Sequence, residues 1–290
     1  MNLSSALKTK DIILLDGAIG TELDKRGLMG RASTNLDAPE IVLQILQEYA
    51  ACGCDALTTN TLTMNRIYIE THNVGVSVRD VNRAGAELAR QAAGKDRYVL
   101  GDLSSTGQLL EPYGTYKESQ FSDAFKEQAE ILAESGVDGF IIETVFDLRE
   151  ALCALRACKD SVSLPVLVSI AFDTEEKGGR TMMGDSAQQC ARSLTDAGAD
   201  AVGANCGSLD PAQMAVVVSE MRSATSLPIL AQPNAGRPRL VEDKTVFEMA
   251  PAPFAEGIAA CRRAGARLVG GCCGTTPEHI RAVAEMLERK

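Results

Sequence analysis

The chain has 290 residues, of which 45% are apolar and 23% are charged, and its formal net charge at pH 7 is −10. This composition is typical of a folded protein that is large enough to bury a substantial core. The acidic balance argues against nucleic acid as a partner, because phosphate binding requires a basic surface. No apolar run reaches about 18 residues and no secretory apolar segment opens the chain, so we predict a cytoplasmic protein without a membrane partner.

Eight short apolar runs of strand length recur along the chain, and segments with the helical spacing of apolar residues lie between them. Several of the helical segments end on a glycine, as at Gly53, Gly136, Gly198 and Gly265, which suits the left-handed helix cap. The predicted strands are residues 12–15, 56–60, 98–103, 139–144, 165–172, 201–206, 228–233 and 267–273.

Eight strand–helix units predict an α/β fold of the (β/α)₈ TIM-type barrel class. The runs are apolar throughout, as expected for strands that are covered by helices. A barrel of this kind takes roughly 250 residues. A doubly wound open sheet would also alternate strands and helices, but the barrel explains the count better. Since no linker or low-complexity tract divides the chain, we predict one domain over residues 1–290.

Residues that carry chemistry follow the predicted strands at their carboxyl ends, which is where barrel enzymes place their active sites. The predicted site is therefore this rim of the barrel. The residues are Asp16, Asn60, Asp102, Glu143, Cys206, Asn234, Cys272 and Cys273.

Cys206, Cys272 and Cys273 are candidate ligands of one metal ion. Neighbouring side chains on a regular strand point to opposite faces, so Cys272 and Cys273 can meet only where the strand ends or bends. The glycines on both sides, Gly271 and Gly274, permit such a bend. Zinc with three protein ligands keeps an open position, which is typical of a catalytic site. The alternative is that all three cysteines are small buried apolar side chains.

The other cysteines and both histidines are not expected to bind metal. An odd number of cysteines in an unsecreted chain favours thiols over disulfides. His279 is predicted in the first turn of a helix that begins after Thr276, and His72 in a polar loop. The cysteines expected to be buried on helices are Cys52, Cys54, Cys153, Cys158, Cys190 and Cys261.

A metal site of this kind has a use for an incoming thiol, because a coordinated thiol is deprotonated and the thiolate is the nucleophile. An amino-acid thiol would also need its ammonium and carboxylate groups held. Asp16, beside the glycine-rich turn at residues 17–20, and Glu143 could provide these contacts, although such a turn can also be an ordinary loop.

Seven stretches of the chain together resemble the zinc-dependent homocysteine S-methyltransferase family, and most of all the homocysteine-binding module of cobalamin-dependent methionine synthases. The paired Asn-Cys and Gly-Gly-Cys-Cys-Gly motifs are highly specific. The stretches, in chain order, are residues 15–21, 59–61, 101–107, 141–144, 204–206, 232–236 and 270–279.

The resemblance implies a (β/α)₈ barrel that binds Zn²⁺ through Cys206, Cys272 and Cys273. Asn234 matches the position that can occupy the fourth zinc site when substrate is absent. The implied reaction is methylation of homocysteine to methionine. The positions that match those holding the amino-acid ammonium and carboxylate are Asp16, Gly17, Ala18, Thr21 and Glu143.

The methyl donor is the less determined part of the implied reaction. The chain ends at Lys290, where the synthases continue into further modules, so we expect a separate methyl-corrinoid protein as donor, or a sulfonium such as S-methylmethionine. Betaine is disfavoured because quaternary ammonium groups are held by aromatic cages, the chain has no Trp, and Thr144 replaces the Tyr of betaine-using relatives.

Two other functions compete with homocysteine methylation. The residues at positions 104–105, Ser104 and Ser105, and at positions 61–65 differ from those usual in the synthases. An alternative is therefore a corrinoid-linked methyltransferase, or a component of a demethylating system, that uses another thiol as acceptor. A non-catalytic barrel with a structural metal is disfavoured, because a closed site needs a fourth protein ligand and no fourth Cys or His stands at the predicted rim.

Overall fold

The computed structural model describes residues 1–29, 32–242 and 244–288. Eight parallel strands form a nearly closed barrel, so the predicted (β/α)₈ fold is confirmed. The barrel strands are β1 (Ile13–Leu14), β2 (Ala56–Thr58), β3 (Tyr98–Leu103), β4 (Gly139–Val145), β5 (Val166–Ile170), β6 (Ala201–Asn205), β7 (Ile229–Gln232) and β10 (Ala266–Val269).

Neighbouring barrel strands follow the chain order, and β10 pairs with both β7 and β1. The first and second strands meet at Asp55, whose N–H donates to Leu14 O at 2.7 Å and whose carboxylate accepts the Leu14 N–H at 2.7 Å. These two bonds bring the edges of the sheet together.

Helices surround the strands, as predicted from the alternating pattern. The helices are α1 (Leu3–Thr9), α2 (Gly20–Lys25), α3 (Thr34–Asp37), α4 (Pro39–Ala50), α5 (Arg66–Thr71), α6 (Val78–Ala93), α7 (Glu118–Glu134), α8 (Leu148–Ser161), α9 (Ala187–Asp196), α10 (Pro211–Ala224), α11 (Pro251–Arg263) and α12 (Pro277–Met286). Among the described helices, none is long and apolar enough to cross a membrane.

The barrel interior is a separate apolar cluster that includes Leu100, Ile141 and Leu230. Helix α1 closes this cluster at the amino-terminal end of the barrel by adding Leu3 and Leu7 to it. Sequence reasoning did not identify α1, because a seven-residue segment is too short for a clear helical period. With its floor closed, the barrel opens only toward the carboxyl ends of its strands.

One feature of the described residues lies outside the regular barrel pattern. A short antiparallel hairpin, β8 (Arg239–Val241) with β9 (Lys244–Val246), follows β7 on the site side of the barrel. The residues of β8 are exposed, and strands of three residues are too short to show an apolar periodicity, so the hairpin was not predicted from the sequence. The six cysteines expected on helices or their ends are all buried, as predicted.

Candidate metal centre and substrate cavity

The sulfur atoms of Cys206, Cys272 and Cys273 all lie within 4.8 Å of one another, and Cys206 Sγ is 3.8 Å from Cys273 Sγ. The three residues come from two different loops at the carboxyl ends of β6 and β10. The structure therefore brings together the trio that the sequence singled out.

The local backbone explains how two adjacent cysteines reach one point. Strand β10 ends at Val269, so Cys272 and Cys273 lie beyond the region where neighbouring side chains must alternate. A side chain at Gly271 would lie 2.5 Å from Thr275 Oγ1, so the chain needs glycine there. Thr275 Oγ1 in turn donates to Cys272 O at 2.7 Å, which fixes the turn.

Cys206 is held in a left-handed backbone conformation with φ of 52°, which is uncommon for a residue other than glycine. Its N–H donates to Gln232 O on the neighbouring strand at 3.1 Å. The following residue, Gly207, is also left-handed and packs against the Phe172 backbone. This turn directs the Cys206 sulfur toward the two cysteines of the other loop.

The three cysteines are close enough to change one another's pKa. Hydrogen bonds from Cys272 and Cys273 lower the pKa of Cys206 well below its ordinary value. Hydrogen bonding to Cys206, together with burial, raises the pKa of Cys272 and raises the pKa of Cys273 to about 12. A cluster of three thiols, of which Cys206 ionises most readily, suits a thiophilic cation, which would stabilise all three as thiolates.

Asn234 provides a further test of this fit. Its Nδ2 donates to Gly207 O at 2.9 Å, while its Oδ1 is buried without a hydrogen-bond partner among the described residues. A buried unpaired acceptor is costly unless a ligand satisfies it. The donor set of three thiols and one amide oxygen is therefore compatible with a zinc site that Asn234 could complete.

A cavity of about 400 Å³ opens beside the thiols. The cysteines line it together with the sequence-predicted residues Asp16, Gly17, Ala18, Thr21 and Glu143. Asn234 does not line the cavity and is 1% exposed. The structure thus places five of the six predicted substrate-binding residues around one cavity, together with the three cysteines.

Asp16 is buried and rigidly held. Its Oδ2 accepts the Thr58 N–H at 2.8 Å and its Oδ1 accepts the Thr58 hydroxyl at 2.9 Å. Burial raises the pKa of Asp16 to about 7, although the bonds from Thr58 act in the opposite direction. The carboxylate has a fixed position but little solvation, so it favours a cationic neighbour.

Glu143 is presented to the cavity by an irregularity in β4. The register with β5 shifts between Ile142 and Val145, and Thr144 adopts a left-handed conformation with φ of 59°. Ser104 Oγ donates to Glu143 O at 2.6 Å and supports this bulge from β3. Burial, with the nearby charges of Asp16 and Cys206, raises the pKa of Glu143 to about 8.

The glycine-rich turn after β1 is packed tightly against its surroundings. A side chain at Gly17 would lie 2.7 Å from Thr275 Oγ1 and 2.9 Å from the Tyr49 ring. The Ala18 N–H donates to Thr275 Oγ1 at 3.0 Å, so this group is already used within the protein. Thr21 Oγ1 accepts the Gly274 N–H at 3.1 Å and ties the turn to the cysteine loop.

The two stretches expected to differ from the synthases, residues 104–105 and residues 61–65, lie differently with respect to the cavity. Ser104 and Ser105 do not line the cavity, and Ser105 Oγ donates to Glu150 instead. Leu62 and Met64 do line it, together with a stacked Tyr68–His72 pair whose ring centroids are 3.9 Å apart. His279 lies in the first turn of α12 as predicted, and its Nδ1 accepts the Thr276 N–H at 3.2 Å. Of these two stretches, residues 62–64 are therefore the part that lines the cavity.

Sequence reasoning missed Asn205 as a site residue and did not assign a role to Asp102 or Gln232. Asp102 and Gln232 follow the interior residues Leu100 and Leu230 by two positions, so they continue the inward face of β3 and β7. This alternation of inward-facing residues along each strand was the sequence signal from which both positions could have been found. For Asn205, its position directly before a ligand cysteine was the only hint.

The fold and the site together define a (β/α)₈ barrel with a thiol-rich, metal-compatible rim beside an acidic cavity. The model of the homocysteine S-methyltransferase family matches residues 13–287, and the chain belongs to that family.

Curated relatives agree with this membership. The chain is 29% identical over 299 residues to the methionine synthase of Mycobacterium leprae and 30% identical over 294 residues to that of Mycobacterium tuberculosis. The matches cover 96% and 94% of this chain but 24% of each relative, so the chain spans about a quarter of their length.

Solved structures with the same fold include the metallated form of the homocysteine methyltransferase MmuM from Escherichia coli. It has a TM-score of 0.78 at 22% identity, with 97% of this chain and 98% of that chain covered. The carboxyl transferase domain of Rhizobium etli pyruvate carboxylase is more distant, with a TM-score of 0.55 at 14% identity, covering 98% of this chain and 48% of that one. At these identities the likeness concerns the fold.

Proposed function

We propose that this protein transfers a methyl group to the sulfur of homocysteine and so forms methionine, using Zn²⁺ held by Cys206, Cys272 and Cys273. The observation that carries the proposal is the position of three clustered thiols at a cavity that also contains Asp16 and Glu143. Family membership supports the same reaction.

The chemistry of the metal in this proposal is limited and specific. Zinc, when bound, lowers the pKa of a thiol at its open position, so that the sulfur is a thiolate at neutral pH. Asn234 is proposed to occupy that position before the substrate enters, because its buried Oδ1 lacks another partner among the described residues. Asn234 is thus proposed to keep the site filled and not to take part in methyl transfer.

The cavity walls are proposed to hold the rest of the amino acid. Asp16 and Glu143 would face the ammonium group, which compensates the cost of burying two carboxylates. The substrate carboxylate would lie at the turn that leads into α2, where the first N–H groups of the helix have no intrahelical partner. Since the Ala18 N–H is donated to Thr275, residues 19–21 are proposed to make these contacts.

In the proposed reaction the sulfur–carbon bond forms as the bond between the methyl group and its donor breaks, and the thiol loses its proton. The proposed donor is a methyl-corrinoid carried by a protein, in line with the resemblance to the cobalamin-dependent module. A sulfonium compound is the alternative. A quaternary ammonium donor is disfavoured because Tyr68 and His72 are the ring-bearing residues among the described lining residues, which is too few for an aromatic cage.

Metal analysis combined with X-ray absorption at the zinc edge tests the proposal. We expect one zinc per chain, bound by three sulfurs that become four when homocysteine is added. Turnover should then be measured with a methyl-corrinoid protein, free methylcobalamin and S-methylmethionine as donors. Zinc binding without a new sulfur ligand, or no methionine with any of these donors, would refute the proposed reaction.

A different thiol acceptor is the second candidate, and the cavity wall at residues 62–64 is the observation that favours it. Leu62 and Met64 line the cavity and belong to residues 61–65, the stretch expected to differ from the synthases. Comparing turnover of homocysteine with that of cysteine, 2-mercaptoethanol and 2-mercaptoethanesulfonate distinguishes the two candidates. Faster turnover of one of the other thiols would favour the second.

A further inference from the structure

We propose that the turn at residues 61–64 selects the thiol acceptor by size, and that Gln128 and Asn82 are positioning residues that hold this turn in place. The inference rests on the proposed function and deepens it, since it says which part of the cavity distinguishes homocysteine from longer amino-acid thiols. This part of the wall is separate from Asp16 and Glu143, which are proposed to face the ammonium group.

The turn at residues 61–64 forms part of the cavity wall. The Met64 N–H donates to Thr61 O at 3.0 Å and closes the turn. Thr61 and Met64, at its two ends, are buried, whereas the two central residues, Leu62 and Thr63, are partly exposed and line the cavity. Leu62 and Thr63 are therefore the most accessible side chains of the turn, and Leu62 gives this part of the wall an apolar surface.

The side chain of Gln128, on α7, holds the first end of the turn. Its Nε2 donates to Thr61 O at 3.0 Å and to Asn82 Oδ1 at 3.0 Å, and a third acceptor, Asp102 O, lies 3.4 Å away. Its Oε1 has no partner among the described residues, so Gln128 acts here as a donor. Because Gln128 is fully buried, water does not replace a bond that is lost.

The side chain of Asn82, on α6, holds the second end. Its Nδ2 donates to Met64 O at 2.8 Å and to Val78 O at 2.8 Å, which uses both N–H groups of the amide. Its Oδ1 accepts from Gln128. The two ends of the turn are thus tied to a pair of amides that are also bonded to each other and that come from two neighbouring helices.

The backbone behind the turn leaves it no room to withdraw. A side chain at Gly85 on α6 would lie 2.6 Å from Thr61 Cγ2, so this helix is in close contact with the turn. On the far side, Asn65 Oδ1 accepts the Tyr68 N–H at 3.0 Å and caps α5. Movement of the turn away from the cavity would break buried hydrogen bonds, and buried groups without partners are costly.

A fixed wall of this kind selects by length. In the proposed function a thiol is held at its sulfur by the metal centre and at its ammonium group by Asp16 and Glu143. With both ends held, an additional methylene between them must displace a wall of the cavity. The turn at residues 61–64 resists displacement, so a longer thiol should bind less well than homocysteine.

Binding of two thiols that differ by one methylene to the zinc-loaded full chain tests the inference. Homocysteine is compared with 2-amino-5-mercaptopentanoate by isothermal titration calorimetry. We expect the wild-type protein to prefer homocysteine by about tenfold or more, within the range typical of one methylene in an apolar pocket. Leu62→Ala should lose most of this preference, because it frees volume that the longer thiol can occupy.

Gln128→Met tests the amide pair, because it keeps the approximate volume and removes both donors. Its preference for homocysteine should fall about fivefold, as for loss of one buried hydrogen bond. Its KM for homocysteine should rise while kcat changes little, since the cysteines are untouched. Ala129→Gly is the control: Ala129 is the next residue of α7 and is buried, so glycine weakens the helix without removing a donor. Its preference should equal that of the wild type.

The possible failures are distinguishable. Equal binding of the two thiols by the wild type, or a full preference retained in Leu62→Ala, would overturn the inference alone. An equal fall in Gln128→Met and Ala129→Gly would overturn the positioning role of the amide pair. A wild-type protein that binds neither thiol would overturn the proposed function as well.

Discussion

Asn205 and Thr144 are joined by two hydrogen bonds, from the Thr144 N–H to Asn205 Oδ1 at 2.9 Å and from Asn205 Nδ2 to Thr144 Oγ1 at 2.7 Å. The same Nδ2 lies 3.8 Å from Cys272 Sγ. One buried amide therefore supports both the left-handed residue after Glu143 and a candidate metal ligand. The cavity wall at Glu143 and the cluster of three thiols therefore have a common support.

Asn205→Ala should weaken metal binding and substrate binding together. Loss of such a supporting partner typically lowers metal affinity by about 10–100-fold. Release of Thr144 from its strained conformation should also move Glu143 and raise the KM for homocysteine. Competition with a chromophoric chelator measures the first effect, and initial rates measure the second. Normal metal affinity together with a normal KM would show that Asn205 only fills space.

Cys206→Ser should abolish stoichiometric zinc binding, because an alcohol at this position is a poor replacement for a thiolate ligand of zinc. Cys190→Ser is the matched control, since Cys190 is buried on α9 away from the cavity. We expect about one zinc per chain in the control and much less in Cys206→Ser, by elemental analysis after dialysis. Equal zinc content in the two variants would contradict the assignment of the ligand.

Asp102→Asn should stabilise the ligand-free protein more at pH 8 than at pH 5. The folded-state pKa of Asp102 is raised, so between the unfolded value near 4 and the higher folded value the folded chain binds more protons than the unfolded chain. The free energy of unfolding of the wild type therefore falls as pH rises through this window. Asparagine does not titrate, so the free energy of unfolding of the variant does not fall for this reason.

The expected gain at pH 8 is about 1–3 kcal/mol, measured by urea unfolding of wild type and variant at both pH values. Saturating homocysteine should reduce the gain, because the ligand stabilises the wild-type carboxylate. A gain that is equal at pH 5 and pH 8 would show that the carboxylate is not the source of the effect.

Gly17→Ala should destabilise the fold by about 1–3 kcal/mol, as expected for overpacking. The added carbon would lie 2.7 Å from Thr275 Oγ1 and 2.9 Å from the Tyr49 hydroxyl, which donates to Ala18 O. Because Thr275 also fixes the cysteine loop, zinc affinity should fall as well. Unchanged unfolding and unchanged zinc affinity would mean that the turn accommodates the methyl group freely.

Much of this site was predictable because its residues follow a rule of position. Barrel strands carry functional residues at their carboxyl ends, so Asp16, Glu143 and the three cysteines could be assigned to one rim from the chain alone. Asp102 and Gln232 were harder to assign to a role, because the role of an inward-facing polar residue depends on its hydrogen-bond partners, which the sequence does not show. Asn205 was missed because it acts through Thr144, which is 61 residues away in the chain.

The amino-acid sequence by itself determined the eight strand–helix units, the thiol trio and the family, because apolar periodicity and short motifs are local properties. Tertiary structure alone decided which buried acceptors lack a partner among the described residues, and that the carboxylate of Asp16 is satisfied by Thr58. It also decided that α1 closes the barrel floor with Leu3 and Leu7. These facts depend on distances between residues far apart in the chain, and such distances are set by packing.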